Sequence, residues 1–189
     1  MIDRLLYESL VNFYKIDSNK NKLKEILINN DNKVSLRSID WFITNYSKKN
    51  NIFYIIYFDK TVNEYSFSGD TGNKKNINVY LSYKSQLKAY SKKKFDPFCR
   101  RNRIEFELDG EVIETTIGQL NFFKWAIENM ILEYVSENKK DIEKDMNDSL
   151  QISKTTHKKK DERKKRQELS LSATRGLSRT NISIRLNFD

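Results

Sequence analysis

The sequence predicts an α+β fold: N-terminal helices, a small antiparallel sheet with a hairpin leading into a long covering helix, and an extended C-terminal arm. Three observations predict it. Ile2, Leu5, Leu6, Leu10 and Phe13 recur at three- and four-residue spacing, the period of an amphipathic helix. Residues 52–58 (IFYIIYF) form a β-branched and aromatic run, and Asp109 and Gly110 sit between two further extended segments as a two-residue hairpin signal. Leu120, Phe123, Ile127, Met130, Ile131 and Tyr134 then form one helical stripe long enough to cover a sheet.

Taken in order, residues 2–14 read as the first helix, and Leu23, Ile26 and Leu27 mark a short second one. Ser35 is placed to cap a third helix over 36–48, with Leu36, Ile39, Trp41 or Phe42, Ile43 and Tyr46 inward. Its last turn carries Lys48 and Lys49, cations where the helix dipole favours them. The period then becomes extended: 52–58 reads as a buried strand, 64–67 as its hairpin partner, and 77–82 as a half-buried strand in which Ile77, Val79 and Leu81 alternate with polar neighbours. Helical spacing returns over 83–93, with Tyr83, Leu87 and Tyr90 on one side and Lys84, Lys88 and Lys92 on another. Pro97 ends that helix. Residues 103–108 and 111–115 make the hairpin, and Thr116 with Gln119 three residues on forms a capping box for the long helix.

The body is expected over 1–137. A charged helical or disordered arm follows over 138–170, and a tail over 171–189 ends in a strand-like segment. In that segment Ile182, Ile184, Leu186 and Phe188 alternate with polar residues, a pattern suited to docking on a sheet edge.

Composition narrows the class. The chain has 189 residues, 38% apolar and 32% charged, with five Gly and one Pro, which suits a body with a core and solvated appendages. Mean hydropathy is −0.76. A single cysteine, Cys99, makes no internal disulfide, so a reducing compartment fits. Asp3 and Glu8 interrupt the N-terminal apolar pattern, unlike a signal peptide, and no apolar run approaches the roughly 18 residues of a membrane span. A soluble, intracellular protein without a membrane partner is expected.

Charge is unevenly placed. Residues 74–103 carry ten Lys/Arg against one acid, Asp96, and residues 138–189 carry fourteen against eight. Within an overall net charge of +9, the remainder is therefore acidic, eleven against seventeen, a distribution that favours attraction to a polyanion. In the first basic region Lys84, Lys88, Lys92, Lys93, Lys94, Arg100, Arg101 and Arg103 are candidate phosphate contacts, and Tyr83 and Tyr90 candidate stacking rings. The same pattern also describes a solvated helix face. Phe122, Trp125 and Leu132 lie opposite the main stripe of the long helix, so that helix is either sandwiched in the body or offers these three residues to a partner.

Catalytic signatures are sparse. His157 is the only histidine and lies in the basic tail, which removes His-dependent triads and multi-histidine metal sites. Residues 68–72 (SGDTG) lack the lysine and hydroxyl ending of a phosphate loop, and Glu105, Glu107, Glu111 and Glu114 sit on a hairpin where acids are normally structural. No enzyme activity, cofactor or metal is expected.

Three stretches carry a resemblance: SLRSIDWFITNYSKKNN (35–51), NVYLSYKSQLKAYSKKKFDPFCRRNRI (78–104) and ETTIGQLNFFKWAIENMI (114–131). Together they resemble an uncharacterised family of proteins from giant double-stranded DNA viruses of the mimivirus and phycodnavirus type. The resemblance covers roughly residues 35–135 and brings no catalytic residue. It implies a viral protein associated with the virion or the genome. The expected location is the host cytoplasm (the viral factory) or the virion, and the basic run 154–166 also allows the nucleus. The expected function is non-enzymatic, sequence-independent binding of DNA, RNA or another polyanion. The alternative is a virion scaffold or assembly protein that docks a viral structural protein through its C-terminal tail.

Overall fold

The computed structural model describes residues 2–27, 34–59, 64–69 and 73–158. It is an α+β fold. Helix α1 (Ile2–Tyr14) turns Leu6, Leu10 and Tyr14 inward at four-residue spacing, one face of a helix. Helix α2 (Asp17–Leu27) buries Leu23.

The segment read as one helix over 36–48 is built in three pieces: α3 (Leu36–Trp41), a π-helical turn (Phe42–Tyr46) and α4 (Ser47–Lys49). Ser35 caps it as expected, its Oγ accepting from the Ser38 backbone N–H at 3.0 Å. The wider turn puts both Phe42 and Ile43 fully inside, while Trp41 stays half-buried, so Phe42 is the core residue of that pair.

Strands β1 (Phe53–Asp59), β2 (Glu64–Ser66) and β3 (Lys74–Asn78) form an antiparallel sheet in the order β2-β1-β3. Tyr54, Ile56 and Phe58 face the core, and the register pairs Phe53 with Asn78, Ile55 with Asn76 and Tyr57 with Lys74. The expectation of a buried strand is corrected: Phe53 is 73% exposed and Ile55 39%, because no described residue covers the outer face of the sheet at this end.

The strand expected over 77–82 stops at Asn78. Its side chain accepts the Leu81 backbone N–H at 3.0 Å and caps α5 (Val79–Lys94). The apparent alternation there had no single apolar face, for Val79 is buried while Leu81 is 64% exposed. Ser91, at φ 59°, kinks α5 before its last turn.

The hairpin β4 (Arg103–Leu108) and β5 (Glu111–Thr116) forms a second, separate two-stranded sheet. Asp109 and Gly110 turn it at φ 53° and 79°, the positive values that a two-residue hairpin loop of this kind requires. Phe106 packs edge-on against Tyr7 and Tyr14 of α1, with ring centroids 6.4 and 5.9 Å away.

The long covering helix divides into α6 (Ile117–Glu128) and α7 (Ile131–Glu137), followed by α8 (Lys139–Lys158). Asn129 Nδ2 donates to the Trp125 carbonyl at 2.6 Å, and Met130 takes the left-handed conformation at φ 53°, which breaks the helix there. Helix α6 lies between α1 and α5. Phe122 and Trp125 are therefore buried, at 0% and 4% exposure, and Leu132 is half-buried against the core. Of the two alternatives for Phe122, Trp125 and Leu132, the sandwiched helix forms, and the partner face is corrected to an internal one.

The chain divides into two compact units, Met1–Leu150 and Gln151–Asp189. The first extends past residue 137, the expected end of the body, because Ile142 of α8 is fully buried and Asp145 accepts the Trp41 indole N–H at 3.0 Å. The docking segment with Ile182, Ile184, Leu186 and Phe188 lies outside the described residues. Among the described residues no helix is long and apolar enough to cross a membrane.

Candidate nucleic-acid interface

Helix α5 sorts its residues by side. Tyr83, Leu87 and Tyr90 pack on the core, while Lys84 and Lys88, one turn apart, are exposed. The Tyr83 ring lies 6.0 Å from Phe95 and 6.1 Å from Trp125, and burial, then Asp40 and Asp96, raise its hydroxyl pKa. Tyr83 and Tyr90 therefore seat the helix, and the stacking role expected of them is corrected.

Beyond the kink, Lys92 and Lys93 are exposed and Lys94 half-buried. Lys92 acts on Asp40, whose carboxyl is held above the usual range by burial first and by Asp96 second, with Lys92 pulling it back. The following loop is clamped onto the first turn of α6. The Asp96 N–H donates to the Gly118 carbonyl at 3.2 Å, Gln119 Nε2 to the Pro97 carbonyl at 3.0 Å, and Asn121 Nδ2 to the Lys94 carbonyl at 2.8 Å. Thr116 caps α6 as expected, accepting the Gln119 N–H at 3.1 Å. The Gln119 side chain, needed by the loop and by Thr115, does not close the box.

Arg100 and Arg101 are exposed on this loop, whereas Arg103 forms an ion pair with Glu114 across the hairpin and leaves the candidate set. Other cations are held in the same way, although Lys15, Arg37, Lys74, Lys124, Lys140 and Lys144 have no ion-pair partner among the described residues. Arg4 meets Glu8, Lys20 meets Asp17 and Asp109, Lys22 meets Glu133, Lys24 meets Glu111, and Lys49 meets Asp145. By contrast, none of Lys84, Lys88, Lys92, Lys93, Arg100 and Arg101 has an ion-pair partner among the described residues.

Spacing along the chain could not reveal one addition. The Tyr80 ring, in the first turn of α5, lies beneath two ammonium groups, Lys48 Nζ at 5.5 Å from its centroid and Lys84 Nζ at 6.0 Å. Lys48 comes from α4, which packs beside α5, so the basic surface extends past the lysine stripe toward β1. The outer face of the first sheet adjoins it there, for Phe53 pairs with Asn78, the cap of α5.

A separate cleft of about 210 Å³ opens between α1, α2, β1, β2 and α6, lined by Phe13, Asn19, Lys22, Phe58 and Glu128 among others. Burial raises the Glu128 carboxyl pKa, and Lys22 is held by Glu133 at 2.6 Å. Among the described residues no group of three or more His, Cys, Asp or Glu side chains comes together to hold a metal ion.

No solved structure matches this chain. It is similar to an uncharacterized protein of Acanthamoeba polyphaga mimivirus, 38% identical over 152 residues that make up 77% of this chain and 52% of that protein. The chain thus spans about half the length of the curated relative it matches. The resemblance to a giant-virus protein holds, and the model of a family of unknown function, DUF7197, matches residues 4–161. The chain belongs to that family.

Proposed function

We propose that the chain binds nucleic acid without reading its sequence, holding phosphates with the lysine face of α5 and the arginines of the loop after it. The observation that supports this reading is the concentration of exposed, unpaired cations on one helix face and the loop after it. Lys84, Lys88, Lys92, Lys93, Arg100 and Arg101 fall in a stretch whose one acid is Asp96, and none is paired with a described residue, whereas Arg4, Lys20, Lys22, Lys24 and Lys49 are each held by a carboxylate. An unpaired cation can exchange its counterions for a phosphate, whereas a paired one must first break its bridge.

The scaffold reading has no comparable support. Phe122 and Trp125 are inside, and the tail residues it needs lie outside the described residues.

The test is fluorescence anisotropy of labelled DNA and RNA with the full chain across a salt series. Four phosphate contacts give a slope of log K against log salt of about −3 to −4. The variant Lys84→Glu, Lys88→Glu, Arg100→Glu should lose more than about tenfold in affinity at low salt. Lys92 is left unchanged because its reversal would act on Asp40 within the fold. Absence of binding to either polymer at about 50 mM salt overturns the proposal.

A further inference from the structure

We infer that the ligand of this surface is a single-stranded nucleic acid whose base faces stack on the outer side of the three-stranded sheet. The inference rests on the nucleic-acid reading above and adds the strand class to it.

Side chains alternate across a strand, so Phe53, Ile55 and Tyr57 share the outer face of β1, recurring every ~6.7 Å. Phe53 is 73% exposed, more than any other large apolar side chain among the described residues. With Ile55 beside it at 39% exposure, Phe53 gives this face an apolar patch of the kind that a partner covers.

The surroundings indicate what covers it. Directly opposite on β3 stand Asn78, Asn76 and Lys74, and Lys48 and Lys84 meet over Tyr80, two residues beyond Asn78. Asparagines therefore stand opposite Phe53 and Ile55, and the ammonium groups gather over the ring that follows Asn78 in the chain. The acids of this face, Asp59 and Glu64, are paired at the opposite end of β1. A polyanion would cross at the Phe53 end and continue along Lys84 and Lys88. In a duplex each base face is already covered by its stacking neighbours, so only an unpaired strand can offer one to Phe53.

The test uses anisotropy of the full chain on three labelled ligands of about twenty nucleotides: oligo(dT), a strand of equal length without bases, and a mixed-sequence duplex. Oligo(dT) should bind most tightly. Phe53→Ala should weaken its binding about 5- to 100-fold, and Phe53→Trp should restore it. Binding to the baseless strand, which keeps the phosphates, should stay within about twofold and also reports that the variant is folded. Unchanged oligo(dT) affinity in Phe53→Ala, or duplex bound as tightly as oligo(dT), overturns the inference while salt-dependent binding keeps the broader reading. No binding to any of the three at about 50 mM salt overturns both. Light scattering supplies a further arm: a dimer that Phe53→Ala converts to a monomer, with strand affinity unchanged, assigns the face to a second copy and overturns the inference.

Discussion

The indole N–H of Trp125 reaches the Ser82 hydroxyl across 3.0 Å, a bond that ties α6 to α5. Around it the Trp125 ring meets Phe95, Phe122 and Tyr83 at 5.6, 5.9 and 6.1 Å. The second apolar side of α6 is thereby spent on holding α5. With its inner side fixed in this way, α5 is left with Lys84 and Lys88 toward solvent.

Trp125→Ala should cost about 3–5 kcal/mol of folding stability, read from the urea midpoint, because it empties the centre of that cluster. Ser82→Ala removes only the hydroxyl and leaves one indole N–H unpaired, at about 1–2 kcal/mol. With Trp125→Phe already present, Ser82→Ala should cost much less. An equal cost in both backgrounds would show that the bond contributes nothing.

Asp145 accepts from Lys49 and from the Trp41 indole N–H, and these bonds, Lys49's first, hold its carboxyl below the usual carboxylate range despite burial. The folded value lies under the unfolded one, near 3.9 for an aspartate. The stabilisation is therefore complete above the unfolded value and disappears as pH falls through the folded one. Asp145→Asn should melt at a lower temperature than the parent at pH 7, with the gap closing below about pH 3. A gap that persists unchanged into acid would assign the loss to packing.

Much of this fold could be read locally. Ser35, Thr116 and the Asp109 and Gly110 turn act through neighbours within four residues, and each forms where the sequence places it. Asn78 is equally local, yet it reads as part of a strand because Ile77, Val79 and Leu81 imitate a two-residue period. What could not be read is the identity of the element across each interface. Trp125 finds Ser82, Asp145 finds Trp41, and Lys48 finds Tyr80 through tertiary packing alone. For the same reason the basic cluster could be counted but not sorted. Arg103 is withdrawn by Glu114 across a hairpin whose register sets the pair. Phe53 escapes notice because a continuous apolar run does not say which of its faces is covered.

Gly118 links the fold to the candidate interface. A Cβ there would lie 3.2 Å from the Lys93 carbonyl oxygen and 3.3 Å from Cys99 Cβ, neither of them the end of a flexible side chain. Overpacking of this kind costs about 1–3 kcal/mol, which exceeds the ~1 kcal/mol that alanine adds to a helix. The loop bearing Arg100 and Arg101 is bonded to this turn of α6 through Asp96, Pro97 and Lys94, so displacement falls on it. Gly118→Ala should lower the urea midpoint and also weaken nucleic-acid binding at low salt. Gly110→Ala is the control: its φ of 79° makes the backbone alone costly, by about 1–2 kcal/mol, and nothing lies within 4 Å of its Cβ. It should lose stability and keep its affinity. If Gly118→Ala also keeps its affinity, the placement of the arginine loop has no part in binding.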